Sequence, residues 1–337
     1  LTTSSSINLN VSNSGANMDV AGRIENNGVF DIQSDLDTTF STTAGGRGVI
    51  DNGLTGILRK SVGTGVTNIA AEFNNAGTVE VQSGTLSFNN GGLSSGDFQG
   101  AATLDFGGGA HGVTGTVTVG ELIVSAGSAD FNAAVDAGAL LTVSGGAATF
   151  NDTFTTAATT VSSGSVVFKG PSTDLGTSLT LSGGTLDITG LDVMVTTFMN
   201  NGGTLQGAGD LRVSGSTTLA GSGAKIWYGS GVVETNGSTD FSQGSLRIDG
   251  GRTWQNDGTA TLTTSSSINL NVSNSGANMD VAGRIENNGV FDIQSDLDTT
   301  FSSSAGGRGV IDNEVSGVFR KSVATGVTNI AAEFNNA

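Results

Sequence analysis

A short acidic motif holds the residues best able to do chemistry, and it occurs twice in the chain. It reads DIQSDLD in both places, and its carboxylates are Asp31, Asp35, Asp37, Asp292, Asp296 and Asp298. Because Ca²⁺ prefers carboxylate oxygens as ligands, these six residues are the candidate calcium site. The interpretation that we favour is an outward, solvated edge of a strand that needs no cofactor, with calcium as the alternative.

No combination of residues favours catalysis. His111, the only imidazole, lies in the glycine-rich run GGGAHGVTG, and a general base needs a positioned partner, so we expect it in a solvent-exposed loop. The sequence has no GxSxG nucleophile motif between a strand and a helix. Paired carboxylates can cleave polysaccharides, but an enzyme rarely needs its site copied. We therefore predict no catalytic residue and no enzymatic activity.

Aromatic and basic residues supply two weaker candidates for binding. Trp227, Tyr228 and Trp254 could stack on sugars if they were exposed, but we expect them to pack in the core or at corners. The basic motifs LRKS (58–61) and FRKS (319–322) recur. We expect them to pair with acidic residues of a neighbouring coil or chain, where each exposed pair contributes little.

Repetition over a long period explains why these motifs occur twice. Residues 1–76 align without a gap on residues 262–337, and the pairs differ at only eight positions, Thr42/Ser303, Thr43/Ser304, Gly53/Glu314, Leu54/Val315, Thr55/Ser316, Ile57/Val318, Leu58/Phe319 and Gly63/Ala324. The chain is therefore read as one full repeat unit, 1–261, followed by the start of a near-identical second unit, 262–337. Such recent copying predicts further copies in tandem in a longer protein.

A shorter period lies inside the long one. A small residue followed by an alternating strand recurs at SGTLSF (83–88), AATLDF (101–106), AGSADF (126–131), GGAATF (145–150), SGSVVF (163–168), GGTLDI (183–188), GGTLQG (202–207) and QGSLRI (243–248). With one degenerate member near Gly223, the mean spacing is about 20 residues, within the range of solenoid repeats. The interval between Ala102 and Gly127 is longer than the others. We interpret residues 107–121, which include His111, as an inserted loop and the one candidate for a partner-binding tip.

Alternation within these segments predicts strands that stack in a solenoid. Apolar residues fall two and four places after each anchor, as in Leu86 and Phe88, which is the pattern of a strand with one buried face. A sandwich would not keep one register over so many turns, whereas a solenoid stacks equivalent residues into interior columns. We predict an all-β chain, a parallel β-helix (β-solenoid) of about 20 residues per coil and about 13 coils per 261-residue repeat.

Two expectations follow for individual residues of this solenoid. The buried column should contain five stacked phenylalanines, Phe88, Phe106, Phe131, Phe150 and Phe168. A second type of corner is predicted at IENNG (24–28), FNNAG (73–77), FMNNG (198–202) and WQNDG (254–258). Because asparagine tolerates left-handed backbone and bonds neighbouring amides, we expect its side chains to stack at these corners.

Composition narrows the functional classes. The chain has 54 Gly, one Pro, no Cys and a net charge of −17, so disulfides are absent and binding to nucleic acid or to anionic lipid is disfavoured. No run of 18 apolar residues and no leading signal peptide is present. A chain that starts without a signal and stops inside a repeated motif is expected to be a segment of a longer protein.

The repeats in AEFNNAGTVEVQSGTLSFNNGG, LTVSGGAATF and LSGGTLDITG resemble those of large secreted bacterial proteins of the autotransporter-passenger and filamentous-haemagglutinin type. The resemblance covers most of residues 72–262 in character. It implies a right-handed parallel β-helix outside the cell or on its surface, serving as an adhesin, stalk or filament. Expected partners are further copies in tandem or laterally, and a host surface or polysaccharide.

The functional expectation is therefore a structural extracellular rod or filament segment that spans distance and mediates assembly or adhesion. Two alternatives stay open, a β-helical enzyme that processes polysaccharides and a calcium-dependent adhesin that binds carbohydrate. An enzyme would show a cleft lined by several acids on one strand face, whereas the outward positions are mostly Ser, Thr, Ala and single charges.

Overall fold

Stacked parallel strands make up the whole described structure. The computed structural model describes residues 7–9, 22–35, 37–39, 48–263, 267–270, 281–296, 299–300 and 307–337, and no helix occurs in these ranges. The fold is a β-solenoid, as predicted. Leu86 pairs in parallel with Leu104, and Leu104 with Leu122, so the expected coil period of about 20 residues is confirmed. The chain divides into two compact units, Leu1–Ala157 with Lys169–Thr173, and Ala158–Phe168 with Asp174–Ala337.

Unit 1 consists of short strands separated by tight corners. Its described strands are β1 Ile7–Asn8, β2 Arg23–Asn26, β3 Val29–Ile32, β4 Asp37–Thr39, β5 Val49–Asn52, β6 Ile57–Lys60, β7 Val66–Ile69, β8 Glu72–Asn75, β9 Thr78–Val81, β10 Thr85–Phe88, β11 Gly92–Ser94, β12 Asp97–Phe106, β13 Ala110–Val113, β14 Val117–Val124, β15 Ser128–Phe131, β16 Val135–Asp136, β17 Leu140–Val143, β18 Ala147–Phe150 and β19 Phe154–Thr155. One further strand, β22 Thr173–Asp174, falls at the division between the units, because Thr173 belongs to unit 1 and Asp174 to unit 2.

The strands of unit 1 form three parallel ladders, one on each side of the coil. The first ladder runs β2, β5, β8, β11, β13, β15, β18. The second runs β3, β6, β9, then the first halves of β12 and β14, then β16 and β19. The third runs β1, β4, β7, β10, the second halves of β12 and β14, and β17.

Unit 2 is built in the same way. Its described strands are β20 Ala158–Val161, β21 Ser165–Phe168, β23 Ser178–Leu181, β24 Thr185–Asp187, β25 Val193–Asn200, β26 Gly203–Gln206, β27 Leu211–Leu219, β28 Lys225–Tyr228, β29 Val232–Thr235, β30 Ser238–Phe241, β31 Leu246–Asp249, β32 Thr253–Asn256, β33 Thr259–Leu262, β34 Ile268–Leu270, β35 Arg284–Asn287, β36 Val290–Ile293, β37 Thr299–Thr300, β38 Val310–Asn313, β39 Val318–Lys321 and β40 Glu333–Asn336. Here the long strands that join two ladders are β25 and β27.

The repeated sequence occupies different ladders in the two units. In unit 1, β2 lies in the first ladder, and β3 lies in the second ladder with the first halves of the long strands. In unit 2, the copy of β2 is β35, which lies in the ladder that contains the first half of β27, whereas β36 follows the second half. The 261-residue repeat is therefore not a whole number of coils, and identical sequences occupy different sides of the coil in the two copies.

Glycine makes the tight corners between ladders possible. Gly146, the predicted corner before β18, has a φ of 61°, which is a left-handed backbone conformation that residues with a Cβ rarely adopt. A Cβ placed there would also approach the Gly127 carbonyl oxygen of the preceding coil to 2.5 Å. The corner glycines thus permit both the turn and the close stacking of successive coils.

The prediction that five phenylalanines are buried is correct, but the prediction that they form one stacked column is wrong. Phe88, Phe106, Phe131, Phe150 and Phe168 are all buried, at 0–1% exposure. Phe88 and Phe106, however, lie in the third ladder of unit 1, whereas Phe131 and Phe150 lie in the first.

Ring contacts nevertheless cross from one ladder to another. The Phe106 and Phe131 ring centroids are 5.4 Å apart with the rings edge to face, and Phe131 stacks on Phe150 at 4.8 Å. Phe98 of the second ladder also contacts Phe106 edge to face at 5.8 Å, so all three ladders of unit 1 share one interior. The lengthened interval between Ala102 and Gly127 marks the change of ladder, and residues 107–121 are not an inserted loop but contain β13 and the start of β14.

Asparagine stacking at corners is confirmed for most of the predicted positions. In unit 1, Asn26 Nδ2 donates to Asn52 Oδ1 at 2.7 Å, and Asn52 Nδ2 donates to Asn75 Oδ1 at 2.8 Å. Asn52 Nδ2 also lies 3.1 Å from both the Gly56 and the Thr78 carbonyl oxygens. Each amide thus links its own corner to the next coil.

The corresponding ladder in unit 2 runs Asn256, Asn287, Asn313 and Asn336, with steps of 2.7–2.8 Å. Asn200, which the corner motif also includes, is not in a ladder of asparagines. Its Nδ2 donates to the Leu181 and Gly202 carbonyls, and its Oδ1 accepts from Trp227 Nε1.

Replacing Asn52 by Ala should lower the free energy of unfolding by about 2 kcal/mol, because buried acceptors on two coils lose their donor. Asn236→Ala is the control, since Asn236 is exposed and its side chain donates within its own coil, to Glu234; it should cost less than about 0.5 kcal/mol. Guanidinium unfolding followed by circular dichroism measures both values. Equal midpoints for the two variants would contradict a stabilising Asn ladder.

Candidate functional site

The acidic motif and the basic motif meet on neighbouring coils of unit 1. Parallel pairing of β3 with β6 sets Asp31 opposite Arg59, and Ile32 opposite Lys60. We call Asp31, Asp35, Arg59, Lys60 and Ser61 the charged cluster. The LRKS motif was expected to pair with acidic residues of a neighbouring coil or of a neighbouring chain. Here the acidic residues come from a neighbouring coil of the same chain.

Lys60 is the centre of the charged cluster and is fully buried. Its Nζ donates to Asp35 Oδ1 at 2.9 Å and to Thr67 Oγ1 at 3.1 Å, and it lies 3.4 Å from the Ser34 and Val62 carbonyl oxygens. The hydrogen bond from Lys60 lowers the pKa of Asp35. The ammonium thereby fastens the corner after β3 to the corner after β6.

Arg59 and Asp31 extend the cluster along the outer face. The Ser61 hydroxyl donates to Asp31 Oδ1 at 2.7 Å, and this hydrogen bond lowers the pKa of Asp31 more than partial burial raises it. Arg59 Nε donates to Glu80 Oε2 at 2.6 Å on the following coil. The outward charges of three successive coils are thus connected in one row.

The second copy of the cluster repeats this pattern in unit 2. Lys321 Nζ donates to Asp296 Oδ1 at 2.6 Å, and Arg320 donates to Asp292 Oδ2 at 3.1 Å. The hydrogen bond from Arg320 is the main cause that lowers the pKa of Asp292 to about 2. The lysine–aspartate contact is therefore the same in both copies, whereas the arginine differs, since Arg59 bonds Glu80 of the following coil and Arg320 bonds Asp292 of the preceding coil.

These contacts bear on the six candidate calcium ligands. Asp31 and Asp35, and likewise Asp292 and Asp296, direct carboxylate oxygens to Ser, Gln, Lys, Arg or backbone donors. Only the backbone of Asp37 is described, and Asp298 lies outside the described residues. Within the ranges that the structure covers, no three acidic or histidine side chains form a group suited to a metal ion, and calcium binding stays a prediction.

Two further buried cations in unit 2 were not identified from the sequence. Lys225 is fully buried, and its Nζ donates to the carbonyls of Gly221, Gly223 and Gln243 at 2.9–3.2 Å. Burial lowers the pKa of Lys225. The available signal was its position two residues before Trp227 in an alternating strand, which places both side chains on the inward face.

Arg252 fastens a corner of unit 2 in the same manner. Its guanidinium donates to the carbonyl oxygens of Gly209 and Gly207 at 2.7 Å, and to that of Tyr228 at 3.0 Å. Burial lowers the pKa of Arg252 to about 10. Like Lys60 and Lys225, it satisfies carbonyls where a corner departs from regular ladder pairing.

His111 is buried, contrary to the expectation of a solvent-exposed loop. It lies in β13 at 4% exposure, and its Nε2 is 2.8 Å from the Gly108 carbonyl oxygen and 3.2 Å from that of Phe88. The Phe106 ring contacts the imidazole edge to face at 4.8 Å. Burial lowers the pKa of His111. The imidazole thus fills an interior position and donates to the backbone.

The two tryptophans are core residues, as expected. Trp227 and Trp254 are both fully buried, and their rings meet edge to face at 5.8 Å. Each indole N–H has a partner, Asn200 Oδ1 for Trp227 and Thr235 Oγ1 for Trp254. Neither ring can offer a face to a sugar.

A groove on the outside of unit 1 is a second candidate site. It lies where β12 bends from the second ladder into the third, it has a volume of about 520 Å³, and we call it the bend groove. Its polar lining residues are Glu80, Gln82, Asp97, Gln99, Thr116 and Thr118. A Cβ at Gly100 would collide with the Val81 carbonyl oxygen, so a small residue is required at the bend.

Known proteins give no independent guide to the function. No protein-family model matches the chain, and neither a curated protein nor a solved structure is significantly similar to it.

Replacing Lys60 by Met should lower the free energy of unfolding by about 2 kcal/mol, because the carbonyls and the hydroxyl around Nζ lose a buried donor. Lys169→Met is the matched control, since Lys169 is an exposed lysine, and it should change stability by less than about 0.5 kcal/mol. Chemical unfolding monitored by circular dichroism compares the two variants. A Lys60→Met chain as stable as the control would show that the ammonium contributes nothing.

Acidification should weaken the fold through His111. Its folded-state pKa lies below the ordinary value of 6.5, so the unfolded chain takes up the proton first. Its contribution to stability is therefore complete above pH 6.5 and declines as the pH falls from there through the lowered pKa. The matched variant His111→Gln should show a shallower loss between pH 7 and pH 5. Parallel stability profiles for the two chains would rule out this role.

Proposed function

We propose that the chain is a structural segment of an extracellular or cell-surface rod or filament, which spans distance and supports assembly or adhesion. The observation that supports this proposal best is the pairing of outward charges between neighbouring coils. A binding or catalytic surface would direct its charged groups toward a ligand, whereas these groups are directed at the next coil.

Several ion pairs follow this rule. Arg23 Nε lies 2.7 Å from Asp51 Oδ2, and in the second copy Arg284 lies 2.7 Å from Asp312 Oδ2. Arg212 similarly lies 3.4 Å from Glu234 on the following coil. Each exposed pair contributes less than about 1 kcal/mol, but a stack of coils contains many of them.

The mechanical role would rest on the backbone. Parallel ladders carry hydrogen bonds from coil to coil, the apolar interior excludes water, and an acidic exterior with a net charge of −17 keeps the protein dissolved. Repetition of a unit extends such a structure without needing a new core. The partners that this role implies are further copies of the same unit in tandem or side by side, and a host surface or polysaccharide.

The resemblance to autotransporter passengers and filamentous haemagglutinins agrees with this role, and it is the basis for the extracellular location and the bacterial source that we propose. The described part of the chain contains no helix that is long and apolar enough to span a membrane.

The two rival functions have less support from the described contacts. Glu80, an acid in the bend groove, accepts hydrogen bonds from Arg59, Gln82 and Gln99. Both oxygens of this carboxylate are thus directed at protein donors, whereas a catalytic acid of a polysaccharide-cleaving enzyme must reach the bond that it cleaves. The calcium-dependent adhesin would need carboxylates that are free to bind Ca²⁺. In both copies, however, an aspartate of the acidic motif already accepts a hydrogen bond from a lysine, Asp35 from Lys60 and Asp296 from Lys321.

Electron microscopy of purified chains can test the structural role. A chain extended by one further 261-residue repeat should give particles longer by about 60 Å, because about 13 coils are stacked at about 4.8 Å each. The original chain on the same grid is the length reference.

Two outcomes would contradict the proposal. The first is that the extended chain forms compact particles with no gain in length. The second is that the purified chain releases reducing ends from a polysaccharide. Antibodies against the chain should also label intact source cells if its location is extracellular.

A further inference from the structure

The bend groove offers a polar surface of which the structural role uses only a part, the pairing of Glu80 with Arg59. Its walls come from three successive coils, with Glu80 on β9, Asp97 and Gln99 on β12, Thr116 directly before β14 and Thr118 on β14. Because these strands stack side by side, the groove extends across the coils and suits a chain-like ligand better than a compact one.

The chemistry of the groove includes hydrogen-bond donors and acceptors. Gln82 and Gln99 provide carboxamides, Thr116 and Thr118 provide hydroxyls, and Asp97 provides a carboxylate. Each carboxamide both donates and accepts, as does each hydroxyl. Hydroxyl groups of a ligand also both donate and accept, so this set of side chains complements a polyhydroxylated molecule.

Electrostatics around the groove disfavour an anionic ligand. Residues 61–168 contain no Lys and no Arg, while their acidic residues are Glu72, Glu80, Asp97, Asp105, Glu121, Asp130, Asp136 and Asp152. An acidic surface of this kind repels anions.

Existing contacts also reduce the attraction for a cation. Arg59 neutralises Glu80 at 2.6 Å, and one oxygen of Asp97 accepts from both the amide and the hydroxyl of Thr116 at 2.8 Å. The groove therefore keeps polar side chains with little uncommitted charge.

We infer that the bend groove binds a neutral oligosaccharide segment laid across the coils. This inference deepens the proposed function and rests on it, because a chain exposed outside a cell is the one that meets a polysaccharide. Phe98 in the groove is 1% exposed, so no aromatic face stacks on the sugar. We expect a dissociation constant of about 1 mM, which suits a site used many times along a repeated structure.

Gln99→Ala provides the test, with Gln206→Ala as its matched control. In each case the glutamine side chain donates to a carboxylate 19 positions earlier, Glu80 for Gln99 and Asp187 for Gln206. Gln206 is in unit 2, and it does not line the groove. Thr118→Val is a second groove variant that removes a hydroxyl but keeps the shape and strand preference of the side chain.

Binding is measured by saturation-transfer NMR on the full chain with four neutral hexasaccharides, cellohexaose, chitohexaose, mannohexaose and β-1,4-galactohexaose. At least one should bind, and Gln99→Ala or Thr118→Val should weaken it about tenfold. Gln206→Ala should leave binding unchanged, and oligogalacturonate of the same length should bind at least about tenfold more weakly. Circular dichroism checks that all variants stay folded.

Three results would overturn the inference. None of the neutral hexasaccharides binds, or both groove variants bind as tightly as the original chain, or a basic pentalysine peptide binds more tightly than every sugar. Because binding is measured on single chains in solution, any of these results leaves the structural role intact. Failure of the length test would in turn leave a measured sugar site standing.

Discussion

In the described part of the chain, strands of one coil lie directly against strands of the preceding coil of the same unit, so a residue in a strand pairs with a counterpart one coil earlier. In-register parallel pairing imposes this relation, as in the alignment of Leu86, Leu104 and Leu122. A corner must be narrow enough for the next coil to approach, and an inward residue must fit the residue below it. Glycine corners, aromatic contacts and asparagine ladders all follow from that one requirement.

Corners are where this requirement is hardest to meet, because backbone carbonyls there cannot all join a ladder. Buried polar groups without partners are costly, and the chain supplies donors from side chains. Asn52 does so at one type of corner, whereas Lys60, Lys225 and Arg252 reach carbonyls at others. These cations have a structural role despite their charge, and the same applies to the carboxylates of the charged cluster that bind them.

The side chains of the most reactive-looking motifs that the structure describes are engaged in contacts within and between coils. Asp35 binds Lys60, Asp292 binds Arg320, and His111 donates to the backbone inside the coil. The bend groove differs because it arises from the shape of the coil at Gly100. Its polar residues are on the outside, where contacts between coils such as that of Thr116 with Asp97 leave Gln82 and Thr118 facing the groove.

The sequence by itself determined the all-β fold, the short coil period and the inward position of residues such as Leu104 and Phe150. These properties depend on alternation and on glycine spacing, which are local. Asparagine at corners also follows from the sequence, although Asn52 does not fit the corner motif because Gly53 follows it directly.

Only the tertiary structure decided which ladder each strand joins, because all three strands of a coil carry the same alternating pattern. The sequence therefore placed Phe106 and Phe131 in one column and treated His111 as part of an insertion. The partners of Asp35 and Asp31 were likewise undetermined, since Lys60 and Ser61 are 25 and 30 residues away. Contacts at such separations depend on how many residues each corner contains, and that number varies from coil to coil.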